Sequence, residues 1–271
     1  TYYATRTYNQ TFNPQISVSS GYSTLYVQTG DVSNHGVELA LGYSNKWGNF
    51  GWSTNYTFSA NTNRINELVR NYVHPETGAI INKDRLEVGG LGSAKFILKE
   101  GGTLGDLYSK TDVMRDSEGK IYVDKNGNIA RNNNVGDIKL GSVLPKSNMA
   151  WRNDFSYKGF NLAFMVSARF GGIAYSATQA SLDKYGVSEA TAAARDKGYV
   201  LVNGEDKLNP EAWYSVIGSA DGIPQYYTYS ATNVRLQEAS LGYTFKKNQF
   251  FGIGELSLSV VGRNLLMLYC K

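Results

Sequence analysis

Cysteine, proline, charge and long hydrophobic runs are all scarce in these 271 residues, and each scarcity excludes something. The single cysteine, Cys270, cannot form an internal disulfide or a thiolate metal cage. The longest unbroken apolar run, Leu265 to Cys270, falls far short of the roughly 18 residues a spanning helix needs. No secretory signal opens the chain. Charged residues make up 18%, against roughly 25% in an ordinary soluble domain. The net charge of +4 is too small and too scattered for a nucleic-acid binder. What is abundant is Gly (29) and Tyr (20), with Phe (11) and Trp (4) raising the aromatic share to 13%, which excludes a disordered chain. Thr1-Tyr2-Tyr3 reads like the middle of a strand, and the last residues stop inside an apolar segment. Both termini are therefore read as cuts in a longer chain.

Several segments alternate with a period of two, the signature of half-buried strands. Phe160 to Phe170 places Phe160, Leu162, Phe164, Val166, Ala168 and Phe170 on one face. Its other face holds Asn161, Ala163, Met165, Ser167 and Arg169. Val37–Tyr43, Phe50–Phe58, Met149–Tyr157, Ala239–Phe245 and Leu256–Val260 repeat the pattern. Asn45 to Asn49 and Lys158-Gly159 read as hairpin turns, in which Gly and Asn supply positive φ. Residues 61–90 and 171–231 read instead as long, polar, irregular loops, with one short helix over Ser188–Asp196 capped by Ser188.

Short turns alternating with long loops, and strands of about ten residues with one apolar face, predict an all-β fold: an antiparallel transmembrane β-barrel segment with long external loops. Phe50, Phe58, Tyr157, Phe160, Phe170, Tyr243 and Phe245 fall at the ends of the apolar faces, as an interfacial girdle requires. A soluble β-sandwich also alternates and stays open as a surface glycan-binding or adhesin module. So does a passive porin.

Five short stretches carry a family resemblance. Val32-Ser-Asn34-His-Gly36-Val37-Glu38-Leu39, Phe155-Ser-Tyr157-Lys158-Gly159-Phe160-Asn161-Leu162, and Tyr185-Gly-Val-Ser188 through Asp196 are the first three. Asn233-Val234-Arg235-Leu236 through Phe245, and Gly262-Arg263-Asn264-Leu265-Leu266, complete the set. In this order they resemble SusC/RagA-type TonB-linked outer-membrane transporters over nearly the whole chain. The resemblance implies a barrel of about 22 strands with a plugged lumen, to which residues 1–271 contribute a C-terminal part of seven to nine strands. Plug, TonB box and signal peptide are not recognised within the sequence. It also implies import of a nutrient, oligosaccharide or peptide. The partners expected are a SusD-like surface lipoprotein acting as lid, the TonB complex and outer-membrane lipid, in a Gram-negative, Bacteroidetes-like bacterium.

No Ser/His/Asp or Cys/His set is visible, so neither an enzyme nor a cofactor is expected. His35 and His74 lie apart, without ligand spacing. Asp124-Lys-Asn126-Gly127-Asn128 resembles half a calcium loop but reads better as an Asx-rich turn. Glu100-Gly101-Gly102, followed by Thr103 to Tyr108, is similar to a Gly-rich stretch of the same family and is read as the start of a strand rather than a phosphate cradle. Trp213, Tyr214, Tyr226, Tyr227 and Tyr229 are the candidate contacts to substrate or lid, because aromatic faces stack on sugar rings and peptide side chains; packing of these rings within the loop is an equal alternative.

Overall fold

A computed structural model describes residues 1–12, 26–73, 78–246 and 254–271. The chain alternates between one large antiparallel sheet and a layer of smaller elements at one end of it. The sheet is built from β1 (Tyr2–Phe12), β2 (Val27–Trp47) and β3 (Phe50–Glu67). Between β3 and the next strand of the sheet come β4 (Val69–Val73), β5 (Ile80–Lys83), β6 (Arg85–Leu91) and β7 (Ala94–Lys99). They are followed by β8 (Asp106–Ser109), β9 (Asp112–Val113), β10 (Arg131–Asn132) and β11 (Ile138–Ser142). The sheet resumes with β12 (Ser147–Tyr157) and β13 (Phe160–Phe170). A second excursion carries β14 (Ile173–Tyr175), α1 (Ala177–Lys184), α2 (Glu189–Lys197), β15 (Val200–Val202) and β16 (Asp206–Leu208). It continues through α3 (Pro210–Ile217), a 3₁₀ turn (Pro224–Tyr227) and β17 (Thr228–Ser230). The sheet ends with β18 (Asn233–Phe245) and β19 (Leu256–Cys270).

The strand order in the sheet is β1-β2-β3-β12-β13-β18-β19, every neighbour antiparallel. The two read turns sit where expected: Gly48 (φ 59) closes β2–β3, and Lys158 (φ 45) with Gly159 (φ 95) closes β12–β13. Two consecutive positive φ values give the turn whose twist matches that of the flanking strands.

Register sorts the side chains into two faces. Trp47, Phe50, Tyr157, Phe160, Tyr243 and Leu258 stand opposite one another in a row beside the short turns. Phe160 and Tyr243 meet edge to face at 4.8 Å, and Trp47 stacks with Phe50 at 6.1 Å. β12 and β13, each of 11 residues, define the height of the apolar band. At about 3.3 Å per residue and a tilt of about 40°, that is roughly 25 Å. Large apolar side chains over the whole band stay exposed, among them Leu39, Leu41, Trp151, Leu162, Leu241 and Val260. Among the described residues no second sheet covers them, so the sandwich reading fails: its aromatics would be sealed between sheets.

The excursions differ from expectation. The described residues of 61–90 are mostly regular strand; β3 continues through Glu67, and β2 runs beside it up to the Asp31–Glu67 pair, well past the end of β12. β6, β7, β8 and β11 form a separate four-stranded sheet. One small core joins it to the β2–β3 ribbon through Val32, Ile65, Leu68, Val69, Leu86 and Leu98. In 171–231 the single expected helix is α2, with Ser188 as its cap, but α1 and α3 flank it, capped by Ser176 and Asn209. Their apolar sides close a second core of Val113, Ile129, Ala180, Val202, Leu208, Trp213, Ile217, Ile223 and Tyr227. No helix among the described residues is long and apolar enough to cross a membrane, which says nothing about crossing by strands.

Candidate functional site: the polar face and the loop mouth

The face of the sheet opposite the apolar band is small and polar. Gly51, Ser53, Asn55, Thr57 and Ser59 of β3 stand opposite Ser156, Asp154, Arg152, Ala150 and Asn148 of β12. All charged residues of the band lie on this face. Arg263 donates to Glu238 at 3.1 Å, Arg152 reaches the other Glu238 oxygen at 3.3 Å, and Arg152 also forks onto Asp154 at 2.9 Å. Two guanidinium groups and two carboxylates thus alternate across β12, β18 and β19 with no net charge. Such a chain is costly against hydrocarbon and natural against water, so the network assigns this face to the wet side of the wall.

Towards the long connections the polar face widens into a groove of about 490 Å³ lined by Thr5, Thr7, Asn34, Ser59, Asn61, Asn63 and Asn148. Asn61 donates to the Tyr3 hydroxyl at 2.7 Å, and Asn63 accepts the Leu104 amide at 2.8 Å. Gly36 permits this arrangement: a Cβ there would lie 2.5 Å from the Tyr3 hydroxyl and from the Ala60 carbonyl. The glycine of the Val32–Leu39 stretch is therefore fixed by the tyrosine crossing it. Neutral amides and hydroxyls of this kind match the hydrogen-bonding groups of peptides and sugars.

Above the groove the loop layer is held by ion pairs. Asp137, nearly buried, accepts from Arg85 (2.6 and 2.9 Å), Lys99 (2.9 Å) and Lys110 (2.9 Å). These donors, Arg85 foremost, hold its carboxyl well below the usual range. Arg6 and Asp31 pair between β1 and β2.

The five aromatic candidates separate. Trp213 and Tyr227 are 6% and 2% exposed and belong to the second core, so they have little surface to offer. Burial, with Asp183 nearby, pushes the Tyr227 hydroxyl well above its ordinary value. Tyr214 is half-buried against the same core, and burial raises its hydroxyl too. Tyr226 and Tyr229 keep 38% and 46% exposure; Tyr226 packs edge to face on Trp213 at 5.2 Å.

The remaining motifs take structural places. Asp124 accepts the amides of Asn126 and Asn128 at 2.8 Å each, an Asx turn, and these donors lower its carboxyl. Glu100 accepts the Leu68 amide and pairs with Arg70 at 2.9 Å, while Gly101 donates to the Ile65 carbonyl, docking the Gly-rich turn onto β3. His35 is exposed on β2, and His74 lies outside the described residues. No cluster of His, Cys, Asp or Glu able to hold a metal occurs among the described residues. The pairing of the Arg152 network across three strands was invisible to sequence reading; the only signal was charge at the polar positions of alternating segments.

No known family profile matches the chain. Two curated proteins of Formosa agariphila are similar over nearly all of it. TonB-dependent receptor P3 is 25% identical across 98% of this chain and 27% of its own length. TonB-dependent receptor P39 is 23% identical across 94% of this chain and 28% of its own. The chain thus spans under a third of the relatives it matches. Among solved structures, the RagAB peptide transporter superposes with a TM-score of 0.65 at 15% identity, covering 98% of this chain and 29% of that one. The RagAB peptide importer in its "closed-closed" state gives 0.64 at 15% identity, covering 100% and 30%. The fold is therefore an antiparallel segment of a transmembrane β-barrel wall with its loop layer.

Proposed function

We propose that this chain is part of an outer-membrane, TonB-dependent importer of the SusC/RagA type, and that its share is barrel wall, wet lumen lining and loop mouth. One observation carries the reading most strongly: within a single sheet, every charge of the band lies on one face, while the other is an uncovered apolar surface bounded by an aromatic row. The similarity to two TonB-dependent receptors and to a peptide importer supports it.

In this reading residues 1–271 form the C-terminal part of the barrel. A nutrient, oligosaccharide or peptide, passes the amide-rich groove. A SusD-like lipoprotein meets the loop layer through Tyr226 and Tyr229, with Trp213, Tyr214 and Tyr227 supporting them from within. TonB acts through a part of the protein outside this sequence. The organism is of the Bacteroidetes kind, and the protein is a transporter rather than an enzyme.

The test is genetic and biochemical. The full-length protein is expected in the outer-membrane fraction, with heat-modifiable gel migration, and nutrient uptake through it is expected to stop when TonB is deleted. Undiminished uptake without TonB would indicate a passive pore, and recovery from the soluble periplasm would overturn the assignment.

A further inference from the structure

The wet face carries its charges in two tiers. In the lower tier Arg152 and Arg263 balance Asp154 and Glu238. Nearer the loop mouth the balance fails. Arg235 stands opposite Ser167 and Arg169 opposite Asn233. The two arginines are therefore diagonal neighbours across β13 and β18, with Cα atoms about 7–8 Å apart. Lys146 brings a third cation to the same corner: it lies two residues before Asn148, which faces Arg169, and it lines the amide-rich groove. None of the three forms an ion pair among the described residues. The acid at the same height, Glu38, is separated from Arg169 by Ser59 and Asn148. Three strand spacings put it about 14 Å away.

Both arginines are held in place by the fold. Arg169, half-buried, donates one terminal nitrogen to the Val143 carbonyl at 2.7 Å, and its buried Nε has no partner among the described residues. Arg235 donates Nε to Ser167 Oγ at 3.2 Å, and Ser167 donates to Gln237 Oε1 at 3.3 Å. This relay depends on a bulge. Val166 pairs with Leu236 and Met165 with Glu238, which leaves Gln237 as an extra residue of β18. Gln237 and Glu238 both reach the wet face, one to Ser167 and the other to Arg152. Bulges re-aim side chains. Here one pins an arginine by its inner nitrogen and leaves the two terminal nitrogens without a partner among the described residues.

Lys146 and Arg235 are exposed, and in bulk water exposed cations need no counter-ion. Along a wall whose other side is apolar, charge of one sign focuses its field and concentrates the opposite sign. A guanidinium fork fits the paired oxygens of an acid group. We propose that Lys146, Arg169 and Arg235 form an anion-binding station on the barrel wall. It takes one acidic group (carboxylate, sulfate or phosphate) of a solute whose neutral part lies in the groove. The station selects acidic over neutral solutes of equal size. It rests on the importer reading for the passage of that solute, and on the three cations alone for its preference.

The experiment titrates trigalacturonate and triglutamate, beside maltotriose and trialanine, into the detergent-solubilised full-length protein by calorimetry. At least one acidic trimer is expected to bind at least tenfold more tightly than its neutral counterpart, with the advantage shrinking as salt rises from about 50 to 500 mM. Preference for the acidic sugar or for the acidic peptide identifies which carries the acid group in transit, and either supports the station. Arg235→Gln, at an exposed position, should cut the advantage at least fivefold with heat-modifiable migration intact, while Arg235→Lys should keep most of it. Arg169→Gln should cut it likewise. Binding of no trimer, equal binding of acidic and neutral trimers, or unchanged selectivity in both Gln variants would each overturn the proposal. TonB-dependent uptake persisting beside such a result leaves the importer reading standing. Acid-selective binding by a protein whose uptake ignores TonB would keep the station and remove that reading.

Discussion

On the apolar face of the sheet, Trp52 of β3 donates its indole N–H to Asn153 of β12 at 3.1 Å. The reverse bond runs one step along the same pair: Trp151 of β12 donates to the Thr54 hydroxyl of β3 at 2.9 Å. Each tryptophan thus finds its acceptor on the neighbouring strand, at the two polar positions that interrupt the apolar band. Asn153 is 2% exposed, beneath a chain of rings in which Trp52 stacks on Phe155 at 6.4 Å and Phe155 on Phe164 at 6.1 Å. Two polar side chains facing hydrocarbon are tolerated because each accepts the one donor that an aromatic anchor would otherwise leave unbonded.

Replacing Asn153 by Ala leaves the Trp52 N–H buried without an acceptor. The expected loss is about 1–2 kcal/mol, moderated because the Asn153 Nδ2, without a partner among the described residues, disappears too. Pairing Asn153→Leu with Trp52→Phe removes both polar partners and should recover most of that loss. Urea unfolding of the full-length protein in lipid vesicles, followed by tryptophan fluorescence and gel migration, measures both.

Val166 and Ser167 are neighbours in β13 on opposite faces, Val166 opposite Trp151 and Ser167 bonded to Arg235 at 3.2 Å on the polar side. Arg at position 166 would sit near the middle of the apolar band and should cost about 2–4 kcal/mol. Arg at position 167 points to water and should cost less than about 1 kcal/mol. Equal effects in the same unfolding measurement would contradict the assignment of faces.

The Asp137 carboxyl is held below its unfolded value of about 3.9 by Arg85, Lys110 and Lys99. A depressed acid contributes stability that is complete above the unfolded value and fades as pH falls through the folded one. The loop layer should therefore loosen as pH drops below about 4, with neutral and mildly alkaline pH without effect on this group. Asp137→Asn should remove most of that acid response while weakening the layer at pH 7 by about 1–3 kcal/mol, because three cations lose their shared acceptor. Limited proteolysis between residues 85 and 142 across a pH series reads the change.

The strands were legible because β13 alternates without interruption from Phe160 to Phe170 and its turn, Lys158-Gly159, declares itself chemically. Asn153 was not legible as a buried group: at its position the alternation simply reads polar, and only the indole across the strand pair explains it. The loop layer was legible least. Helices of eight or nine residues contain barely two turns, too few for a helical period to stand out. The core they close joins Val113 to Tyr227, so burial there depends on partners more than a hundred positions away. That is why the sequence alone leaves Trp213 open between a contact surface and packing within the loop, and the structure places it in the interior.

The same contrast yields a last expectation, for two aromatics of the same excursion, Trp213 and Tyr229. Trp213 shares the second core with Ala180, Ile217 and Tyr227 and packs edge to face on Tyr226. Trp213→Ala removes a large buried side chain and should destabilise the loop layer by about 3–5 kcal/mol. The band of the sheet does not depend on that core, so barrel unfolding should hardly move; hydrogen exchange and protease sensitivity over residues 171–231 should rise instead. Tyr229, on β17 and 46% exposed, carries no such load. Tyr229→Ala should leave exchange in the layer within about 0.5 kcal/mol of wild type, while lowering affinity for a lid lipoprotein if that surface is the one it meets. A fall in lid affinity for Trp213→Ala alone, with Tyr229→Ala silent, would mean that the layer's order rather than its exposed rings makes the contact.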